Sequence, residues 1–171
     1  MLKVRIIIFF IFFGLFSLAF QIGAMYDVSD EEANAFVQEF LSNTNEIDGI
    51  GIFLNNISAA LPMFVPGFGI IWGLYTGWST GIGFASLVTM APALNEIMPL
   101  SILYYSPFGF MELMAYSIAM SRSYHIVMVL AKKNNLKKII KPTILEIGIV
   151  IAILIVAGYL EEYMIGLELV V

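Results

Sequence analysis

The sequence predicts an all-α fold, a polytopic helical membrane bundle of about five transmembrane helices plus one short extracytoplasmic amphipathic helix. Three observations predict it. Of the 171 residues, 60% are hydrophobic and 12% are charged, which is more apolar than a soluble core can bury. The apolar residues fall into runs about as long as a bilayer is thick. The basic residues cluster near the N-terminus and between residues 132 and 141, as they do in short cytoplasmic segments.

The same composition argues against several function classes. There is no cysteine, so disulfides, thiolate metal sites and cysteine nucleophiles are excluded. The sequence has no HExxH, GxSxG or P-loop motif and no paired metal-ligand spacing, so we expect no enzyme activity, no cofactor and no metal. The basic residues are few and flank apolar spans, which argues against nucleic-acid binding. We expect a single integral membrane domain over residues 1–171.

The first apolar run, Val4 to Met25, begins beside two basic residues, Lys3 and Arg5. It is long enough to cross a bilayer and predicts an N-terminal anchor or signal-anchor over residues 1–25. The alternative is a cleaved signal peptide, with Ala24 as the small residue at the cleavage site. The run is long for a signal peptide and Ile22 suits that site poorly, so a retained anchor is favoured.

Residues 26–48 predict a short amphipathic helix that is too acidic to span. Ser29 and Glu32 have the spacing of a capping box at its start. Its many acids and lack of bases favour an extracytoplasmic position. We interpret it as a cap on the bundle; the alternative is recruitment of a partner. Its apolar residues follow the helical period: Ala33, Phe36, Val37, Phe40 and Leu41.

Residues 49–165 are expected to form the rest of the bundle. The run Gly49 to Val65 is only just long enough to cross a bilayer and ends at a Pro-Gly break. Three further spans follow, Phe68 to Ala91, Pro107 to Ala131, and Pro142 to about Tyr163. All four are needed, with the first span, to reach five crossings.

The number of crossings follows from the side of the membrane on which the lysine-rich loop lies. This loop carries Lys132, Lys133, Lys137, Lys138 and Lys141. If Gly49 to Val65 crosses, the N-terminus and this loop are both cytoplasmic and the C-terminus is extracytoplasmic, as the positive-inside rule prefers. If that segment only lies on the outer surface, five lysines end up outside. We therefore predict a multi-pass protein of the cell membrane with a cytoplasmic N-terminus.

The span that follows Pro66 carries small residues at every fourth position. Such a stripe lets helix backbones approach closely. The interpretation we favour is packing against another span of the same chain, and the alternative is self-association through the stripe. Its members are Gly69, Gly73, Gly77, Gly81 and Ala85.

A buried polar site is predicted around Glu112, a carboxyl group inside a span. Glu112 lies near a line of small residues, so it faces the bundle, and no basic residue lies near its depth. It must therefore be protonated, hydrated or hydrogen-bonded to neutral donors such as Tyr, Ser or Asn, and Asn55 and Asn56 can supply such donors. Glu161 lies at a similar depth near the end of the last span.

Near the opposite end of the same span, Arg122 lies at about the depth of Glu146, and we predict an ion pair between them. His125, the single histidine, lies near the inner membrane boundary. We interpret it as an interfacial polar residue, because a metal site needs several convergent ligands.

Four stretches together resemble the stage II sporulation protein M family: "IFLNN", the glycine-spaced span, "SPFGFMEL" and "VAGYLEE". The resemblance covers residues 50–165. The family's asparagine pair corresponds to Asn55 and Asn56, and its late glutamate to Glu161. Phe108 stands where the family motif has histidine, so a role for that imidazole is not expected here. The motif Pro-His-Gly-Ile-x-Glu-Leu is otherwise matched at Pro107, Gly109, Glu112 and Leu113.

The resemblance implies a multi-pass membrane protein. The members that give the family its name act in membrane remodelling during spore engulfment, in complexes with membrane proteins and cell-wall hydrolases, and relatives occur in cells that never sporulate. We therefore expect a non-enzymatic protein that organises partner proteins in the lipid bilayer. The alternative is a small transporter or channel in which Glu112, with Asn55 and Asn56, binds a cation or proton.

Overall fold

The computed structural model describes residues 2–43, 48–133, 135 and 137–168, and these residues form an all-α bundle without strands. A 3-10 helix, Leu61–Phe64, continues the third α-helix, and another, Pro92–Glu96, follows the fourth. The predicted fold class is confirmed. The seven α-helices within these described ranges are α1 Leu2–Ala24, α2 Asp30–Asn43, α3 Gly49–Ala60, α4 Phe68–Met90, α5 Pro99–Tyr105, α6 Pro107–Ala131 and α7 Lys137–Glu168.

Three of these helices are long and apolar enough to cross a bilayer: α1 over Lys3–Ala24, α6 over Pro107–Ala131 and α7 over Lys137–Leu167. The apolar segment Gly49–Phe64 is shorter. Helix α4 has 23 residues but is not among the three, because glycines and polar aromatic and hydroxyl side chains lower its mean hydropathy. The five crossings stay a prediction.

Helices α3 and α4 form an antiparallel pair with its turn deep in the bundle. The start of α3 lies beside the end of α7, where Gly49 faces Tyr159. At the turn, the Ser123 hydroxyl donates to the Val65 carbonyl at 2.7 Å and accepts from the Gly67 amide at 3.0 Å. Ser123 lies about 24 Å along α6 from its first residue. The turn requires glycine because φ at Gly67 is 77°.

Helix α6 lies at the centre of the bundle and packs against α1, α4 and α7. In the most apolar stretch of α6, half of the residues are buried. In the corresponding stretches of α1 and α7, 28% and 22% of the residues are buried. Small residues on its inner face, Ala115, Ala119 and Ser123, are fully buried. The core around α6 is filled from α1 by Phe16 and Phe20.

The capping box predicted at the start of α2 is present. The Ser29 hydroxyl and amide donate to one Glu32 carboxylate oxygen, at 2.8 and 3.1 Å, and the Glu32 amide donates back to the hydroxyl at 3.4 Å. These bonds lower the pKa of Glu32, because they favour its charged form. Ala33 packs with Ala85 of α4, so α2 covers the bundle. Two other residues of the predicted stripe have side chains outside the described part of the chain, Phe40 and Leu41.

Candidate functional site: two polar clusters inside the bundle

Helix α6 carries two polar clusters, one near each end. The Glu112 cluster consists of Asn56, Glu112, Tyr116 and Glu161. The Glu146 cluster consists of Arg5, Arg122 and Glu146, with His125 beside it. Glu112 and Arg122 are about 15 Å apart along the helix axis. The bundle therefore holds ionisable groups at two separate depths.

In the Glu112 cluster, three side chains form one chain of hydrogen bonds between α6 and α3. The Asn56 amide donates to Glu112 Oε1 at 2.5 Å, and the Tyr116 hydroxyl donates to Asn56 Oδ1 at 3.2 Å. Asn56 and Tyr116 are 8% and 5% exposed, so water competes little with these bonds. The Asn56 side chain thus links the two residues of α6, because its nitrogen donates to Glu112 and its oxygen accepts from Tyr116.

Glu161 brings a second carboxyl group to this cluster from α7. It is close enough for its charge to act on both Glu112 and Tyr116. Neither carboxyl group takes part in an ion pair within the described ranges. Two neighbouring carboxyl groups without a basic partner can share a proton or hold a small cation through their oxygens. No group of three or more candidate metal ligands is found among the described residues.

The start of α6 explains why Glu112 faces inward. Ser106 caps the helix by accepting from the Gly109 amide at 3.0 Å, and Pro107 occupies the first turn. Gly109 packs closely on α5, because a Cβ there would lie 2.6 Å from the Ile102 carbonyl oxygen. These three residues set the rotation of α6, and with it the direction in which Glu112 projects.

The structure brings two of the three predicted companions to Glu112. Asn56 is bonded to it and Glu161 lies nearby, whereas Asn55 is exposed on α3. The prediction that both asparagines supply Glu112 is wrong for Asn55, because successive residues of an α-helix point about 100° apart. Tyr116 was not among the predicted site residues. Its position one turn after Glu112, on the same helix face, is the sequence signal that indicates it.

The Glu146 cluster joins three helices. Arg122 of α6 donates to both carboxylate oxygens of Glu146 on α7, from Nε at 2.6 Å and from Nη2. Arg5 of α1 donates to the same carboxylate from Nη2 at 2.5 Å and from Nε at 3.3 Å. The predicted Arg122–Glu146 pair is present. Arg5 was predicted only as a determinant of topology, and the structure makes it the second partner.

The small-residue stripe of α4 is buried against four elements of the same chain. Its first member faces the backbone of Met63, its second the side chain of Met120, and its third and fourth the backbone of α1. The fifth packs with Ala33 of α2. Self-association through the stripe would require these elements to separate. In order, the stripe consists of Gly69, Gly73, Gly77, Gly81 and Ala85, all buried.

In a comparison with protein families, residues 5–164 match the model described as SpoIIM, stage II sporulation protein M. No curated protein and no solved structure gives a significant match. The resemblance predicted for residues 50–165 is therefore confirmed, and it extends to α1. Together with three helices long and apolar enough to cross a bilayer, the match indicates a membrane protein.

Proposed function

This chain belongs to the stage II sporulation protein M family, and we propose that it is a non-enzymatic, multi-pass protein of the cell membrane that organises or assembles partner proteins. One observation carries the proposal. Polar side chains inside the bundle bond across helices, from Arg5 and Arg122 to Glu146 and from Asn56 to Glu112. These bonds fix α1, α3, α6 and α7 relative to one another. Such a fixed bundle is suited to presenting constant surfaces to other membrane proteins.

The orientation of these surfaces follows from the ion pairs and the charge pattern. The bonds from Arg5 to Glu146 place the N-terminal end of α1 at the same end of the bundle as the start of α7. That end carries Lys137, Lys138 and Lys141, so the positive-inside rule assigns it to the cytoplasm. The antiparallel α3–α4 pair starts and ends at the opposite end, whether or not it crosses completely. We therefore propose a cytoplasmic N-terminus and an extracytoplasmic C-terminus and α2.

Helix α2 is the surface we propose for contact with partners on the extracytoplasmic side. One face packs on α4, through Ala33 against Ala85. The first turn presents exposed Asp30, Glu31 and Glu32. A partner with a basic surface complements this charge.

The proposal is tested by purifying the full chain in a mild detergent and quantifying co-purifying proteins by mass spectrometry. We expect membrane proteins at near-stoichiometric ratio, reduced by Glu31→Lys and retained by Lys138→Glu, the matched reversal of an exposed charge at the other end. If wild type retains no protein above the level of an unrelated membrane protein, the proposal is refuted.

A second candidate function, movement or binding of a cation or proton, is favoured by one observation. Glu112 and Glu161 interact as two carboxyl groups without a basic partner in their cluster. Helices that contain such groups often form ion or proton pathways. Here the Asn56 bond to Glu112 instead supports a role in helix packing.

Two substitutions separate these functions. Glu112→Gln keeps the shape and the hydrogen bond but cannot ionise, so the organising function predicts normal stability and normal partner retention. Glu112→Leu leaves Asn56 without its acceptor and is expected to cost about 1–3 kcal/mol. Cation flux by wild type in proteoliposomes, abolished by Glu112→Gln in a stably folded protein, would favour the transport function instead.

A further inference from the structure

The Glu146 cluster carries more positive charge and more hydrogen-bond donors than its own residues satisfy. Two guanidinium groups share a single carboxylate. Among the described residues, Arg5 Nη1 and His125 Nδ1 are buried side-chain atoms without a hydrogen-bond partner. Buried polar atoms in native proteins are almost always bonded, to protein, water or a ligand. The cluster therefore has two bonding positions for a group outside the chain.

Those two positions belong to one site. His125 lies one turn after Arg122 on the same face of α6, and Arg122 bonds the carboxylate that Arg5 also bonds. The excess charge of the cluster is positive, so the group that complements it is an anion with at least two acceptor oxygens. A phosphate group has that charge and geometry, and arginine binds it particularly well.

We propose that the Glu146 cluster binds the phosphate of an anionic phospholipid, whose oxygens accept hydrogen bonds from Arg5 Nη1 and His125 Nδ1. Histidine contributes its Nδ1–H tautomer in the bound state. Arg122 and Glu146 hold Arg5 in place, since both guanidinium groups bond the same carboxylate.

A lipid reaches this position from the side of the bundle. Helices α1 and α7 pack against α6 rather than along each other, and the Arg5–Glu146 ion pair spans the space between them. The Arg5 and Glu146 side chains are 19% and 18% exposed, against 5% for Arg122, so the cluster opens between α1 and α7.

The surroundings favour a lipid over a free anion. Apolar side chains are exposed on both helices near the cluster, Val4 and Ile7 on α1, and Leu145 and Ile149 on α7. Acyl chains can lie against these surfaces while the phosphate occupies the cluster. Basic clusters between membrane helices at the cytoplasmic side are suited to anionic headgroups.

The test is native mass spectrometry of the purified full chain, titrated with phosphatidylglycerol or with diacylglycerol, which has acyl chains of the same kind but no phosphate. We expect wild type to prefer phosphatidylglycerol about tenfold, the ratio expected for one hydrogen bond to a charged group. His125→Leu removes one donor without touching the ion pairs and is expected to abolish the preference. Arg5→Lys keeps the charge but loses the second nitrogen, with the same expected result.

Two variants serve as matched controls. His125→Asn places an amide nitrogen near the position of Nδ1 and is expected to keep the preference. Lys138→Gln removes an exposed cation at the same end of the bundle and is also expected to keep it. If Lys138→Gln and His125→Leu lose the lipid preference equally, the lipid is held by diffuse electrostatic attraction to the basic end of the bundle, and the proposal is overturned. Absence of any preference in wild type would also overturn it.

Inorganic phosphate separates the two sources of the anion. At concentrations equal to that of the lipid, it is expected to leave phosphatidylglycerol bound, because it has no acyl chains. Displacement of the lipid by inorganic phosphate would assign the site to a free anion and overturn the lipid assignment. If His125→Leu leaves the lipid preference unchanged, the unpartnered atoms bond water and not the lipid phosphate. That result would overturn the proposed site.

Discussion

The crossing of α1 and α4 is so close that a single methyl group at Gly81 is expected to destabilise the bundle. Gly23 of α1 and Gly81 of α4 face each other, and a Cβ on Gly23 would lie 3.1 Å from the Gly81 Cα. In Gly81→Ala the new methyl overlaps the Phe20 carbonyl oxygen and lies 2.7 Å from the Ala24 amide nitrogen. Both are backbone atoms of a helix, so neither can rotate away and the two helices must separate.

The magnitude combines two opposite effects. Overpacking a close contact costs about 1–3 kcal/mol, and a backbone overlap belongs at the upper end of that range. Alanine in a helix interior is about 1 kcal/mol more favourable than glycine. The expected net loss for Gly81→Ala is therefore about 2 kcal/mol.

Other glycines of the same chain provide graded controls. Gly148 of α7 has no heavy atom within 4 Å of its Cβ position, so Gly148→Ala is expected to stabilise by up to about 1 kcal/mol. Gly73→Ala meets the Met120 sulfur at 2.5 Å, a flexible side chain that can move, so a smaller effect is expected. The measurement is reversible unfolding of all variants in one detergent. If Gly81→Ala is as stable as Gly148→Ala, the close-crossing argument is refuted.

Three further outcomes are expected. Glu146→Gln leaves two guanidinium groups without a counter-charge and is expected to cost about 3–5 kcal/mol in the same unfolding measurement; a variant as stable as wild type would contradict it. The pKa of Glu32 is lowered, so its cap stabilises α2 at neutral pH and is lost as the pH falls below 4.5 toward the folded pKa. The protection factors of the amides in the first turn of α2, which remove the intrinsic pH dependence of hydrogen exchange, should therefore fall in acid, and Ser29→Ala should remove most of that change. A single cysteine at Glu31 should react with an impermeant reagent added outside intact cells, and one at Lys138 should react only after permeabilisation. Labelling of both in intact cells would contradict the orientation.

Local sequence signals predicted the features that depend on neighbouring residues. Ser29 and Glu32 are three residues apart and bond each other through one helical turn. The helix break after Val65 could likewise be predicted from the sequence, because proline followed by glycine interrupts a helix. Such features need no knowledge of which helices become neighbours.

The partners of the charged side chains were harder to predict, because they are distant in sequence. Arg5 and Glu146 are 141 positions apart. A basic residue beside the first span has a sufficient explanation in topology, so nothing in its local sequence indicates a second role in packing. Only the depth of each residue in the bilayer connects them, and depth did predict the Arg122–Glu146 pair.

Helix α4 shows why hydropathy and packing lead to different conclusions about the same segment. Lipid and neighbouring helices are equally apolar, so burial of leucine or isoleucine gives little preference for protein over lipid. Close packing at Gly69 and Gly81 instead depends on the absence of a side chain. Those glycines lower the mean hydropathy of α4 and leave it outside the set of clearly spanning helices. A helix that packs through a face of glycines therefore has a weaker membrane signal, and its spacing of small residues is the better guide to its position.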